Sequence, residues 1–434
     1  MNFFWFRRDL RIDDNAGLYH ALREGGSVLP VFIFDTDILD KLEDKDDRRV
    51  QFIYETLTEL KSELRRLGTD LLVFHGRPLE VWKKLLATHS PQGVYTNHDY
   101  EPYAIKRDAA VEKLCKSLGV GFHSYKDQVI FEKDEIVTEA RKPYTVYTPY
   151  KKKWQAGLSD FYLQSYPNSR YFKNFAKVKK QETMPSLQKI GFKHTDFDFP
   201  PLKLEAKLLK NYDKTRDFPA LEKGTSHLGI HLRFGTVSIR ELAREAVKFS
   251  PVWLSELAWR EFFMQILYHF PKVEKQSFRP EYENVSWRNS KADFERWCEG
   301  MTGYPLVDAG MRELNETGYM HNRVRMVTAS FLTKHLLLHW YDGERYFARK
   351  LLDFELASNN GNWQWSAGTG CDAAPYFRIF NPQTQLERFD KKGDYIRKWI
   401  PELGTSRYPK PIVDHVFARQ RALKAFQSAL KPME

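Results

Sequence analysis

Residues 353–382 hold the highest concentration of side chains that can take part in chemistry. The stretch contains two adjacent asparagines, Asn359 and Asn360, and two tryptophans, Trp363 and Trp365, with one residue between them. It has no acid–base triad and no metal-ligand spacing. Chemistry without such groups points to a bound cofactor that carries out the difficult step while the protein orients and tunes it.

Three earlier residues, Glu256, Trp259 and Arg260, have the spacing of one helix face. A carboxylate, an indole and a guanidinium on one face can bind a flat polar ligand. Taken alone, a surface ion pair beside a core tryptophan is the commoner cause of such a pattern. Asn322 and Met326 share a face of a later helix in the same way. The hypothesis of a ligand site therefore depends on these blocks occurring together.

A short segment, residues 224–229, reads GTSHLG and precedes a helical pattern. Backbone N–H groups and hydroxyls at the opening of a helix can cradle a phosphate. An ordinary helix cap accounts for most segments of this kind, so the pattern is weak by itself. Asp353 and Glu355 are further candidates, either as partners of the cationic Arg325 or as ligands of the sugar part of a cofactor.

The first 125 residues alternate short apolar runs with helical patterns. Between two of the runs, apolar residues from Val50 to Leu67 fall at spacings of three and four and end at Gly68, which predicts one amphipathic helix. Repeated strand–helix alternation predicts a parallel, doubly wound, Rossmann-like sheet, which usually binds a ligand at the carboxyl ends of its strands. The predicted strands are Asn2–Phe6, Val28–Phe34, Asp70–His75, Gly93–Asn97 and Val120–Tyr125.

Residues 126–205 have weak periodicity, several prolines and lysine clusters, and they predict a connection that wraps over the surface or carries short helices. Beyond residue 206 the pattern is helical, and eight of the 11 tryptophans lie there. Its longest apolar helix is predicted around Met326–Trp340, interrupted by Lys334. The sequence therefore predicts an α/β domain over 1–125, a connector over 126–205 and an all-α domain over 206–434.

Composition narrows the class of protein. The formal net charge is +11, which is typical of a protein that binds nucleic acid or another polyanion. The mean hydropathy is −0.58, and no apolar run reaches the length of a membrane span. The three cysteines are far apart in the sequence and odd in number, which favours reduced thiols and a cytoplasmic location.

Together with the N-terminal run from Trp5 to Arg11, WFRRDLR, these blocks resemble the DNA photolyase/cryptochrome family. The resemblance covers nearly the whole chain and is closest to the class I cyclobutane pyrimidine dimer photolyases. It implies an N-terminal antenna domain and an all-α C-terminal domain that binds FAD. It also implies a lyase that repairs DNA in blue light: excited FADH⁻ gives an electron to a pyrimidine dimer flipped out of the duplex, and the dimer splits. A monomer that is not bound to a membrane is the implied form.

The resemblance also implies roles for individual residues. The predicted FAD contacts are Tyr212, Thr225, Ser226, His227, Leu228, Gly229, Trp253, Arg260, Arg325, Asp353, Phe354, Glu355 and Asn359, with Asn359 opposite the flavin N5. The predicted dimer pocket consists of Glu256, Trp259, Asn322, Met326 and Trp365, and the predicted electron-transfer residues are Trp363, Trp340 and Trp287. The predicted DNA contacts are Arg216, Glu256, Arg260, Asn322, Arg323, Arg378 and Gln385, with Lys151 as a weaker candidate. Gly229 departs from the hydroxyl residue of the family, so one phosphate contact would come from the backbone or from water.

The sequence leaves the antenna chromophore open. Glu101 matches a position that folate antennas use, whereas the stretch Lys272–Lys275 departs from the folate-binding pattern. Methenyltetrahydrofolate, a deazaflavin, another flavin or no chromophore are all compatible with the chain.

Three alternative functions are weighed against dimer repair. A cryptochrome-type photoreceptor shares the fold and FAD, but the complete set of dimer-pocket residues and the missing C-terminal extension argue against it. A photolyase for the (6-4) lesion has a histidine in its pocket where this chain has Asn322. A light-independent basic DNA- or RNA-binding protein would have no use for the tryptophan chain or for Asn359.

Overall fold

The computed structural model describes residues 1–24 and 26–430. These residues form two compact units, and each unit is assembled from separate stretches of the chain. The first unit consists of Met1–Glu135, Ala156–Lys203 and Leu228–Lys248, and the second of Ile136–Gln155, Leu204–His227 and the chain from Phe249 onward. The chain therefore passes between the units more often than the predicted boundaries at 125 and 205 imply, and those boundaries stay a prediction about domains.

A five-stranded parallel sheet lies in the first unit, with the strand order β3-β2-β1-β4-β5. Its strands are β1 (Asn2–Phe6), β2 (Val28–Asp35), β3 (Leu72–Gly76), β4 (Gly93–Asn97) and β5 (Gly121–Tyr125). All five residues of β1 are buried, as expected for the central strand of a sheet covered on both faces. The predicted doubly wound α/β fold is confirmed. The strand order reverses between β1 and β4, which is where sheets of this kind bind ligands.

Helices connect the strands as the periodicity predicts. The helices up to residue 249 are α1 (Ala16–Arg23), α2 (Thr36–Leu39), α3 (Arg48–Arg66), α4 (Pro78–His89), α5 (Pro102–Ser117), α6 (Tyr147–Gly157), α7 (Asp160–Leu163), α8 (Ala206–Thr215), α9 (Gly229–Phe234) and α10 (Ile239–Phe249). The helix α3 ends just before Gly68, whose φ of +81° is left-handed and favours glycine. The strand β3 begins two residues later than predicted because Asp70 is buried in an ion pair with Lys61, 2.7 Å away.

A buried ion cluster ties the β-sheet unit together around Arg240. Its guanidinium contacts Asp14 at 2.7 Å and Asp127 at 2.8 Å, and only 5% of Arg240 is exposed. Burial alone would raise the pKa of Asp127, but Arg11 and Arg240 hold that pKa below its usual value. Arg11 and Arg240 therefore hold Asp127 in its charged form.

We expect Arg240→Met to lower the free energy of unfolding by about 3–5 kcal/mol, because it leaves two buried carboxylates without that partner. Urea unfolding followed by circular dichroism measures the change. The exposed Arg170→Met removes a positive charge from the same unit and is expected to change stability by less than about 0.5 kcal/mol. Equal effects of the two substitutions would contradict a special role for the cluster.

The second unit is helical, as predicted. Its later helices are α11 (Pro251–His269), α12 (Lys291–Cys298), α13 (Pro305–Thr317), α14 (Asn322–Ser330), α15 (Trp340–Lys350), α16 (Leu356–Ala367), α17 (Pro382–Phe389), α18 (Asp394–Trp399) and α19 (His415–Ala429). Trp297, Trp340 and Trp363 are among the buried residues of its core. No helix in the described part of the chain is both long and apolar enough to cross a membrane.

The predicted single helix around Met326–Trp340 is wrong. The helix α14 ends at Ser330 and continues as one π-helical turn, Phe331–His335, and α15 starts only at Trp340. Lys334 is 1% exposed, and its Nζ donates to the carbonyl oxygen of Ala367 at 2.6 Å. The lysine thus contacts the end of α16 instead of reaching solvent. The apolar pattern of the sequence does not indicate this contact.

Candidate active site

A cavity of about 330 Å³ lies among α11, α14 and α16 in the second unit. Eight of its lining residues were predicted from the sequence: Arg216, Glu256, Trp259, Arg260, Asn322, Arg323, Met326 and Trp365. Three others, Phe263, Ser358 and Asn362, were not. Because α11, α14 and α16 each present one face to the same space, residues far apart in sequence meet there. We call this space the lesion cavity, after the dimer pocket that the sequence predicts from the residues lining it.

The indole of Trp259 forms part of the wall of the lesion cavity. The ring of Tyr147 lies face to face on it, with 3.4 Å between the ring centroids and 9° between the planes. A second cavity of about 470 Å³ adjoins the first, and Trp259, Glu256 and Arg216 belong to the walls of both. We call it the side cavity. The indole therefore stands between two open spaces.

Glu256 is the one carboxylate among the described residues that line the lesion cavity. It forms an ion pair with Arg216 at the end of α8. Burial raises the pKa of the Glu256 carboxyl, although Arg216 opposes the rise. The side chain can therefore take up a proton and act as a hydrogen-bond donor if Arg216 is drawn to another anion.

Five of the seven residues predicted to meet DNA line the lesion cavity, and two of the seven have a buried polar atom without a hydrogen-bond partner. Arg323 pairs with Asp217 at 2.6 Å, but its Nε is buried without a hydrogen-bond partner. The Oε1 atom of Gln385 in α17 is buried without a partner as well. Arg378 is exposed in the loop that follows α16. A buried polar atom without a hydrogen-bond partner raises the free energy of the folded protein, and a ligand that hydrogen-bonds to it removes this penalty.

Two arginines predicted to contact the cofactor are each held by a carboxylate. Arg325 donates to both oxygens of Asp353, at 3.2 and 3.0 Å, and Arg260 pairs with Glu355 at 3.2 Å. These ion pairs fix the two guanidinium groups, and the Nε of Arg325 also donates to the backbone oxygen of Met320 at 2.7 Å. Phe354, between the two carboxylates in sequence, packs against the helical core.

The other predicted cofactor contacts lie in different parts of the structure. Thr225 lies in a loop where its hydroxyl is 3.1 Å from that of Tyr319, and the ring of His227 packs on the same tyrosine at 4.4 Å between centroids. Tyr212 and Trp253 are buried in α8 and α11, and Ser226 is half-buried. Leu228 and Gly229 belong to the first unit, where Gly229 begins α9. The roles of all these residues stay predictions.

Asn359 is fixed by a neighbouring carboxyl group. Its side-chain amide donates to Oε1 of Glu344 at 2.8 Å and to the backbone oxygen of Glu344 at 3.1 Å. Glu344 is 4% exposed, and burial raises its pKa to about 7. The orientation of Asn359 is thus coupled to a carboxyl group that titrates near neutrality.

We expect Glu344→Gln to reduce the dependence of stability on pH. The pKa of Glu344 is raised from 4.5 to about 7, so the folded protein gains a proton relative to the unfolded chain and loses stability as the pH rises through 7. Between pH 5.5 and 8.5 this loss amounts to about 2 kcal/mol in the wild type and is absent in the variant. Urea unfolding at both pH values measures it. A variant with the wild-type pH dependence would contradict the assignment, and the exposed Glu139→Gln serves as the control.

The three predicted electron-transfer tryptophans run from the core towards the surface. Trp363 is 2% exposed and packs on α15 at Gly343, where a Cβ atom would lie only 2.2 Å from the indole. Trp340 is 1% exposed, one turn earlier on α15. His339 joins it to the half-buried Trp287, with ring centroids 5.8 and 5.4 Å apart. Ring contacts thus link Trp340 to Trp287, and Trp363 packs on the same helix as Trp340. We call these three tryptophans the aromatic series, and electron transfer through them stays a prediction.

Glu101, the predicted antenna residue, is engaged within the β-sheet unit. Its carboxylate pairs with Arg8 at 3.1 Å and with Arg233 at 2.5 Å. It lies just before α5, beyond the carboxyl end of β4. A chromophore that bound Glu101 would have to share the carboxylate with two arginines or displace them. The antenna role of Glu101 stays a prediction.

Sequence reasoning missed Tyr147, Phe263, Ser358 and Asn362. The spacing of residues in α16 and in α6 could have revealed three of these four residues. Ser358, Asn362 and Trp365 have the i, i+4, i+7 spacing of one face of α16, and the structure places all three on the lesion cavity. In the predicted connector, Tyr147, Tyr150 and Trp154 have a similar spacing and are the buried residues of α6.

The chemistry of the donor set fits a flavin nucleotide. Arg260, Ser358 and Asn362 line the lesion cavity beside the ring of Phe263, a combination suited to a heteroaromatic ring with a polar edge. Arg325 and the hydroxyl of Thr225 offer donors for the phosphates of such a ligand. The described residues contain no cluster of histidine, cysteine and carboxylate side chains that could hold a metal ion.

Comparisons with known proteins agree with this site. Residues 2–169 match the model for DNA photolyase, and residues 253–406 match the model for the FAD binding domain of DNA photolyase. The deoxyribodipyrimidine photo-lyase of Synechococcus sp. is 37% identical over an alignment 472 residues long, gaps included. The alignment covers 99% of this chain and 96% of that protein.

Two solved structures are also similar. A class III photolyase from Agrobacterium tumefaciens aligns with a TM-score of 0.87 and 34% identity, covering 99% of this chain and 97% of that one. A photolyase from Sulfolobus tokodaii with two FAD molecules aligns with a TM-score of 0.82 and 34% identity, covering 99% and 100%. This chain belongs to the DNA photolyase family.

Proposed function

We propose that this protein is a deoxyribodipyrimidine photo-lyase that splits cyclobutane pyrimidine dimers in DNA with blue or near-ultraviolet light. The observation that carries the proposal is the lesion cavity. It brings two tryptophans, Trp259 and Trp365, together with Glu256, Asn322 and Met326 in one space among three helices. An aromatic and amide-lined cavity with one carboxyl group suits two linked pyrimidine rings.

The cofactor is FAD in its reduced form. When bound to the protein, it supplies an electron from its light-excited state. The residues that would hold it are the arginine–carboxylate pairs, Arg260 with Glu355 and Arg325 with Asp353, and the amide of Asn359. An additional antenna chromophore, such as methenyltetrahydrofolate or a deazaflavin, stays open, as does its absence.

The protein contributes orientation and electrostatic stabilisation. Trp259 and Trp365 offer aromatic faces on which pyrimidine rings stack. Glu256 in its protonated form donates a hydrogen bond to a pyrimidine carbonyl oxygen, where negative charge develops during splitting. Asn322 adds an amide that can pair with the polar edge of a pyrimidine. None of these groups has to form a covalent bond to the substrate.

DNA binding depends on charge and on extrusion of the dimer. Photolyases are among the enzymes that flip their target out of the duplex stack. The net charge of +11 favours association with the phosphate backbone. Arg216, Arg323 and Arg378 are the proposed phosphate contacts, with Lys151 as a further candidate because it lines the side cavity. A monomer in the cytoplasm is the proposed form and location.

Light-dependent repair of a defined oligonucleotide tests the proposal. The substrate carries one thymine dimer, the protein is purified with its flavin reduced, and the recovery of base absorbance is followed in blue light and in the dark. Recovery only in the light is the expected result. A yellow protein that binds DNA but restores no absorbance would contradict dimer repair.

The same assay separates the alternatives. Repair of a (6-4) lesion instead of the dimer would assign the protein to that class. Absence of repair on both lesions, with flavin bound, would favour a photoreceptor. A colourless protein that binds DNA equally in light and dark would favour a binding protein without photochemistry.

A further inference from the structure

Tyr147 is the first residue of α6, in the stretch predicted to be a connector with or without short helices. Its ring lies parallel to the indole of Trp259, with a centroid distance of 3.4 Å. Only 7% of Tyr147 is exposed. The ring therefore covers one face of the indole almost completely, whereas Trp259 still lines the lesion cavity.

The position of Tyr147 is fixed from several directions. Its hydroxyl donates to the backbone oxygen of Ser255 at 2.7 Å, and its backbone N–H donates to Asp372 at 2.9 Å. Its ring also meets Phe262 edge to face, with 5.7 Å between centroids. These contacts attach Tyr147 to α11 and to the loop after α16, so its ring is a rigid support.

The side cavity explains why such a support is needed. It has a volume of about 470 Å³ and lies beside Trp259 and Tyr147. A side chain next to open space can exchange between rotamers, because no neighbouring atoms exclude the alternatives. Without the ring of Tyr147, the indole has room to turn away from the lesion cavity.

We propose that Tyr147 is a positioning residue that holds Trp259 in the orientation that recognises the lesion. This inference rests on the proposed function, because it assigns Tyr147 to the same substrate site. A fixed aromatic face binds with a smaller loss of side-chain freedom than a mobile one. Tyr147 thus acts through Trp259 and has no need to touch the substrate.

The test compares two substitutions of Tyr147. Tyr147→Leu removes the aromatic stack and is expected to weaken binding of a dimer-containing oligonucleotide about fivefold to tenfold. Tyr147→Phe keeps the stack and should remain within about twofold of the wild type. Binding of undamaged DNA should be unchanged in both. Equal losses on damaged and undamaged DNA would overturn the proposal, and so would a Phe variant as weak as the Leu variant.

Tyr144→Leu is the matched control. Tyr144 precedes α6, and its ring contacts Tyr150, with 6.4 Å between centroids. Tyr144→Leu should keep the wild-type preference for dimer-containing over undamaged DNA. If it loses this preference as much as Tyr147→Leu does, the segment is damaged in general and the assignment of Tyr147 as the positioning residue is overturned. Flavin absorbance, measured in every variant, verifies that the cofactor site is intact.

A double-mutant cycle distinguishes positioning from structural support. In a Trp259→Ala background, Tyr147→Leu should cause no further loss of dimer binding, because the residue through which it acts is absent. Additive losses would overturn the proposal.

A crystal structure of Tyr147→Leu without DNA gives an independent result. The indole of Trp259 should occupy the side cavity or more than one rotamer, and an unchanged single rotamer would overturn the inference. This measurement does not depend on repair. It therefore still tests Tyr147 if the wild type fails to recognise dimers and the proposed function is wrong.

Discussion

Replacement of Trp363 by phenylalanine should slow the photoreduction of bound oxidised flavin at least about tenfold, which corresponds to a barrier increase of about 1.4 kcal/mol or more. Phenylalanine is much harder to oxidise than tryptophan, so it cannot replace Trp363 as the predicted first electron donor to the flavin. Trp363 is 2% exposed, whereas Trp287 at the other end is half-buried. An external reductant in solution therefore reaches Trp287 but not Trp363.

Flavin absorbance during blue illumination, with a thiol as external reductant, measures the effect. Protein reduced chemically beforehand should still repair dimers, because the aromatic series is predicted only to deliver electrons to the cofactor and none of its three tryptophans lines the lesion cavity. Trp399→Phe makes the same chemical change at a residue packed on the same core and should have no effect. Normal photoreduction in Trp363→Phe would show that this route is not used.

Periodicity predicts those parts of the fold in which each element buries one regular face. The five strands and α3 follow from apolar spacing alone, and the end of α3 follows from Gly68. The opposite directions of Trp363 and Trp365 follow from their spacing on α16. The structure places Trp363 in the core and Trp365 on the lesion cavity. Within one helix, spacing determines which side chains share a face.

Contacts between distant segments could not be predicted in this way. Tyr147 reaches the site because residues 136–155 join the second unit, and nothing in the local pattern names Trp259 as its partner. The ion pair of Arg216 with Glu256 likewise joins separate helices. Lys334 reads as an interruption of an apolar helix, yet it is buried because the carbonyl oxygen of Ala367 is within hydrogen-bond distance.

Removal of the Trp259 side chain should weaken binding of dimer-containing DNA about 10- to 100-fold, because stacking on an aromatic residue contributes about 1–3 kcal/mol per base. The residue lines the lesion cavity and belongs to α11, which is anchored elsewhere by buried residues such as Phe262. The substitution therefore removes a recognition surface without removing a helix. FAD should stay bound, because the arginine–carboxylate pairs proposed to hold it do not include Trp259.

Fluorescence anisotropy with labelled oligonucleotides measures Trp259→Ala against the wild type. Undamaged DNA of the same sequence is the internal control and should bind with unchanged affinity, because the contacts proposed for it are those of Arg216, Arg323 and Arg378 with phosphates. Trp259→Phe keeps a smaller aromatic face and should recover part of the affinity. Unchanged binding of the dimer by Trp259→Ala would remove this residue from the lesion site. An equal loss on both DNAs would assign Trp259 to general DNA binding instead of recognition of the dimer.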